Sequence, residues 1–161
     1  RGDIMQSPRR NNSDSPNANQ HALYQQAMLT HHKSPIGFNR SINATHQAKG
    51  VNSACGDEIL LELTVTDGAI KALAFHGDSC AICRASASML CQYLPEHSVE
   101  QAVTLSQQLK ASLSENVSFI GVAAERFAPL MSVQKFPVRK QCALLPWTTL
   151  EQALRVKNSG S

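Results

Sequence analysis

The segment Glu58–His76 constrains this chain more than any other. It reads EILLELTVT, then Asp67-Gly68, then AIKALAFH. Two runs rich in apolar and β-branched residues around a dipeptide that tolerates positive φ predict a tight antiparallel hairpin. Antiparallel pairing returns the chain to its starting end, so residues just before the first strand and just after the second meet at one end of the sheet. Those flanks are Ser53–Asp57 (SACGD) and Gly77–Cys80 (GDSC), and each carries a cysteine.

Around the hairpin the periodicity is helical. Leu23, Ala27 and Met28 predict an amphipathic helix over His21–His32, closed by Pro35 and Gly37. Residues 38–54 stay open between a loop and a weak edge strand. Cys80–Leu94 predicts a helix capped by Asp78 or Ser79, which places Cys80 at a helix N-terminus, where the dipole favours a thiolate. A further helix is expected from Ser98 to about Leu113, and a short helix with a loop over Phe119–Met131. The last helix lies between Val138 and Val156. Pro146 deprives the Cys142 carbonyl of a partner, so that helix either begins near Pro146 or is kinked there. A small antiparallel sheet packed against helices makes the chain α+β.

The length of 161 residues suits one domain. Residues 1–20, rich in Asn, Ser, Pro and Arg, read as a disordered tail; Arg1–Ile4, ahead of the first methionine, read as an expression remnant. The domain proper is expected over 21–157, with 158–161 as a flexible end. A net charge of +3, scattered along the sequence, gives no footprint for nucleic acid, and no apolar run is long enough to span a bilayer. The five cysteines are an odd number, and no secretory leader is legible, so reduced thiols in the cytoplasm are expected.

Cys55, Cys80 and Cys142 stand beside turn chemistry, whereas Cys91 sits among Met89, Leu90 and Leu94 and reads as core. Cys83 is one helical turn from Cys80, and the reading of it as ligand or bystander stays open. If Cys142 joins the hairpin end, three thiolates and the Asp57 carboxylate suit a tetrahedral zinc ion or the iron of a cluster. The six histidines show no paired ligand spacing, and no phosphate-cradling loop or hydrolase elbow appears.

Several short motifs occur in an order that resembles one family. They are Leu23-Tyr24 through Lys33-Ser-Pro35, Asn52–Asp57, Gly77–Ile82 followed by Ala85–Met89, and Phe136–Arg139 with Cys142-Ala143, Leu145, Trp147, Leu150 and Glu151. Together they resemble the iron–sulfur cluster assembly scaffolds, the IscU/NifU N-domain (SufE/NifU-like) fold, and most of all its SufU branch. The resemblance spans about residues 20–156. It implies metal ligands at Cys55, Asp57, Cys80 and Cys142, occupied by zinc in SufU-type members or by a transient [2Fe-2S] cluster in IscU-type ones. It further implies that persulfide sulfur arrives from a cysteine desulfurase, with Cys55 as acceptor in a zinc-dependent sulfurtransferase or Cys142 in a scaffold. Recipient apo-proteins or downstream carriers would take the product. Arg139 is the candidate to steady an incoming persulfide or to hold Asp57.

The chain departs from the family pattern at several positions. Ser53 replaces the usual proline, Gln141 stands where IscU has histidine and SufU commonly lysine, Pro146 is unusual, and Cys83 replaces a frequent serine. Gln141 cannot supply an imidazole, which favours the Cys-Asp-Cys-Cys set. The alternative reading is a structural zinc-binding interaction module without sulfur transfer.

Overall fold

A computed structural model describes residues 18–115, 117–118 and 121–155. The hairpin is present as read: β2 (Asp57–Thr66) pairs with β3 (Ala69–His76), and Asp67 and Gly68 both take positive φ, the requirement of a two-residue hairpin turn. Along β2 the buried positions alternate as Asp57, Ile59, Leu61 and Leu63. Each of the three aliphatic side chains contributes about 1.5–3 kcal/mol by leaving water. Asp57 is the exception on that face, a carboxylate where the period calls for a hydrophobe.

The undecided stretch resolves into an edge strand, β1 (His46–Asn52), antiparallel to β2. Its last pair is Asn52 opposite Asp57, so the four residues Ser53–Gly56 form the turn between strands, and Gly56 adopts the left-handed region there. Cys55 is therefore held on a hairpin turn. On the far side, the Phe75 amide donates to Gly37 O and the Asn39 amide donates to Phe75 O, which covers the β3 edge.

Helices complete the α+β layering. In chain order they are α1 (Ala18–Lys33), α2 (Ala81–Tyr93), α3 (Val99–Glu115), α4 (Val122–Arg126), a 3₁₀ turn over Ala128–Val133, and α5 (Pro137–Arg155). No described helix is long and apolar enough to cross a membrane. Ser98 and Gln101 exchange side-chain and backbone hydrogen bonds at the start of α3, a capping box. The α2 and α5 helices are cross-linked in the core: Trp147 Nε1 donates to Ser86 Oγ at 3.0 Å, and Ser86 Oγ donates to Ala143 O at 2.7 Å.

Three expectations need correction. The α1 helix starts at Ala18, so residues 18–20 belong to it and not to a tail; residues 1–17, and the end segment 156–161, lie outside the described residues. Nor is α1 amphipathic in the expected sense, because none of its residues is fully buried and Leu23 stays 66% exposed. It is fastened at its C-terminal end instead, where His31 Nδ1 lies 2.7 Å from Ser88 Oγ. Finally, α5 does not begin near Pro146 but runs through it from Pro137, whose fixed φ suits a first helical position. The core contacts of Ala143, Trp147 and Leu150 hold both sides of Pro146 in one helix despite the missing donor.

The α5 helix crosses β1 at Gly50. A Cβ built there would meet Thr149 Oγ1 at 2.0 Å and Leu145 Cδ1 at 3.1 Å. This close approach carries Cys142 to the end of β1. Gly50→Ala is expected to destabilise the fold by about 1–3 kcal/mol and to weaken metal retention with it, because the Thr149 side chain or α5 itself must shift away from the strand. Denaturant titration with metal content measured on the same samples checks both effects together.

Candidate metal centre

Two pieces of chain far apart in sequence bring sulfur and oxygen donors to the open end of the sheet. The turn Ser53–Gly56 presents Cys55, the first residue of β2 presents Asp57, and the second turn of α5 presents Cys142. Their donor atoms all lie within 4.8 Å of one another. The two sulfurs are 2.7 Å apart as free thiols, one donating to the other. Asn52, the last residue of β1, donates from Nδ2 towards Cys142 Sγ at 3.9 Å.

Cys80 stands at the rim of this group. Its Sγ donates to Asp57 Oδ2 at 3.5 Å, while its backbone N–H donates to Asp57 Oδ1 at 2.7 Å. Gly77 makes the approach feasible: at φ +119 it lies so close to β2 that a Cβ would meet Glu58 O at 2.3 Å. Cys80 is also the N-cap of α2, accepting from the Cys83 amide at 3.4 Å. The cap is thus the cysteine itself and not Asp78 or Ser79. Joining the other donors on a metal would cost Cys80 only these two weak sulfur contacts.

Asp57 is 1% exposed, and its carboxylate is satisfied by the Cys80 amide and thiol. Burial pushes the Cys142 thiol above the ordinary thiol range, and hydrogen bonds with Cys55, Cys80 and Asp57 push it the same way. Such a proton is held until a cation replaces it, and metal binding to thiols is coupled to proton release. The donor chemistry fits the expected group: soft sulfur with one oxygen suits zinc or iron and is poorly matched to magnesium or calcium.

The remaining sequence candidates fall away from the cluster. Cys83 is fully buried behind Cys80, and desolvation, with the Asp57 charge adding to it, raises its thiol to about 12. Cys91 is core, likewise raised to about 12 by burial. Arg139 is exposed, its guanidinium 4.6 Å from the Phe136 ring centroid, and among the described residues no ion pair joins it to Asp57. With Phe136, Val133 and His32 it lines an open cleft of about 500 Å³ against α1. Ser53 and Gln141 are exposed. Sequence reasoning gave Asn52 no role, although its place at the end of an edge strand is what aims its amide at Cys142. His31 and His76 have structural partners, Ser88 and Glu62.

Comparison with known proteins bears on this arrangement. The chain is 31% identical to the iron–sulfur cluster assembly scaffold protein IscU of Thermotoga maritima, over 83% of this chain and 93% of that protein. It is 30% identical to the zinc-dependent sulfurtransferase SufU of Bacillus subtilis, over 90% of this chain and 98% of that protein. Among solved structures, a protein of Fervidobacterium islandicum AW-1 assigned to the SUF system as an iron–sulfur cluster assembly scaffold superposes with a TM-score of 0.73 at 26% identity, covering 83% of this chain and 98% of that one. The N-terminal part of a NifU-like protein from Brucella abortus shares the fold, with a TM-score of 0.75 at 17% identity over 82% of this chain and 92% of that one. The NifU-like N terminal domain matches residues 23–156, nearly the whole described chain. The three-stranded sheet, the turn bearing Cys55 and the helix bearing Cys142 lie within that match, and the chain belongs to the NifU-like N terminal domain family.

Proposed function

We propose that this protein is a sulfur-accepting scaffold of iron–sulfur cluster assembly, working with a cysteine desulfurase and passing its product to recipient apo-proteins or carriers. The observation that carries the reading is the convergence of Cys142 on α5 with Cys55 and Asp57, which lie two residues apart where the β1–β2 turn enters β2, all three donors within 4.8 Å. Cys80 is the fourth donor, one side-chain adjustment away. Cys55, half-buried on a hairpin turn, is the thiol best placed to meet a persulfide carried on a partner's loop. Zinc bound here would hold the thiolates charged and ordered; iron and sulfide would be cargo. One oxygen among sulfur donors is the weakest ligand and the natural point of exchange. Five free thiols suit a reducing compartment such as the cytoplasm.

The structural-zinc reading is less well supported. A closed site has four committed ligands, whereas here one donor is a carboxylate and the first thiol is partly open to solvent. The experiment is direct. Purified protein should hold about one zinc or iron per chain, and adding it to a cysteine desulfurase supplied with cysteine should raise turnover. Cys55→Ser should abolish the rise. No stimulation by the native protein favours the inert module.

A further inference from the structure

The pair Cys55–Cys142 is closer than metal binding alone requires. A sulfur–sulfur separation of 2.7 Å lies about 0.7 Å beyond a disulfide bond. One member sits on the helix α5, 3% exposed and fixed by core packing on either side. The other sits, half-buried, on a four-residue turn where a Cβ added at Gly56 would meet nothing within 4 Å. Cys80 also reaches Cys142, but it is engaged with Asp57 and the Cys83 amide as well, and Cys83 and Cys91 are buried elsewhere.

Resting on the reading of Cys55 as sulfur acceptor, we propose that Cys142 is the resolving thiol of the Cys55 persulfide, releasing its outer sulfur as hydrosulfide. In the persulfide the atom nearest Cys142 is the inner sulfur, the Sγ of Cys55 itself. The Cys142 sulfur attacks that atom, a Cys55–Cys142 disulfide forms, and the bond between inner and outer sulfur breaks. The proton of Cys142 passes to the departing sulfur, so persulfide anion and thiol become disulfide and HS⁻. Two electrons reduce the outer sulfur to sulfide, and the two cysteine sulfurs supply them. No external reductant is consumed in the step; a dithiol is needed only to reopen the disulfide for another round. Attack on the outer sulfur would expel a cysteine thiolate, a more basic and slower leaving group than hydrosulfide. A metal held by both sulfurs blocks the step, which therefore belongs to the metal-free protein.

The test uses the full chain, reduced and stripped of metal, loaded with sulfur in two parallel ways: by inorganic polysulfide, and by a cysteine desulfurase with cysteine. After rapid desalting into buffer without reductant, sulfide release and intact mass are followed together. The native protein should first show one added sulfur, then lose it as about one sulfide per loaded chain, ending two hydrogens lighter than the reduced form. Peptide mapping should join Cys55 to Cys142. Cys142→Ser and Cys142→Ala, each checked for native thermal unfolding, should retain the added sulfur on Cys55 and release none, while Cys83→Ser should behave as the native protein. Sulfide release at the native rate in both Cys142 variants, a disulfide mapped to Cys80, or a stable persulfide on native Cys55 would overturn the proposal. If polysulfide-loaded Cys55 is resolved but the desulfurase loads neither the metal-free nor the zinc-loaded protein, the resolving step stands and the proposed function falls.

Discussion

Replacing Cys142 with alanine is expected to lower zinc affinity by about 10²–10³-fold. Four-ligand zinc sites of this type are worth about 10–16 kcal/mol near neutral pH, so one thiolate accounts for about 2.5–4 kcal/mol. Two features of the structure place the loss at Cys142. It is bonded to Cys55 at 2.7 Å and belongs to the close group with Asp57, so removing it opens the site between the strand end and α5. Its thiol is also held protonated by burial, so zinc competes with a proton there and native affinity should climb as pH rises. In Cys142→Ala that climb should be shallower, since one fewer proton is displaced. Competition against a chromophoric chelator at several pH values reads both quantities. An affinity within about threefold of native would remove Cys142 from the ligand set.

Replacing Asp57 separates two roles that one side chain combines. Asp57→Ala leaves the Cys80 amide without its acceptor in a buried place, which is expected to cost about 1–3 kcal/mol of stability. The same change removes the weakest of the proposed ligands, so a [2Fe-2S] cluster placed on the protein should be handed to an apo-acceptor about tenfold more slowly. Asp57→Asn keeps an oxygen for the amide but no charge. It should recover most of the lost stability while transfer remains slow. Denaturant melts and stopped-flow transfer kinetics on the two variants check this, and transfer at the native rate in both would deny the carboxylate a part in release.

The hairpin was legible because its signal is local: period-two alternation, a turn dipeptide and nothing in between to compete. From it followed the meeting of Cys80 with the start of β2. The partnership of Cys142 with Cys55 was legible only through the family resemblance, since it depends on α5 crossing β1 at Gly50 and no periodicity reports a helix–strand crossing. Of the two alternatives read at Pro146, the helix start fails for a related reason. Local chemistry permits a start there, yet Trp147 and Leu150 on one side and Ala143 on the other are packed into the same core, and tertiary burial outweighs one missing hydrogen bond. The exposure of Leu23 on α1 was hidden because apolar spacing in Leu23, Ala27 and Met28 does not say which of them meets a neighbour; Met28 packs against the core and Leu23 does not. Arg139 was named from its motif; its stacking on Phe136 is a side-chain choice that a sequence does not display.

The central claim is that donors from the β1–β2 turn, the start of β2, the start of α2 and the second turn of α5 close on one ion. X-ray absorption at the zinc edge, on protein loaded with a single zinc per chain, tests it most directly. The account predicts a four-coordinate shell of three sulfurs at about 2.3 Å and one light atom at about 2.0–2.2 Å, with the sulfur count falling by one in each of Cys55→Ser, Cys80→Ser and Cys142→Ser. A shell of nitrogen and water, or a sulfur count unmoved by those substitutions, would contradict it.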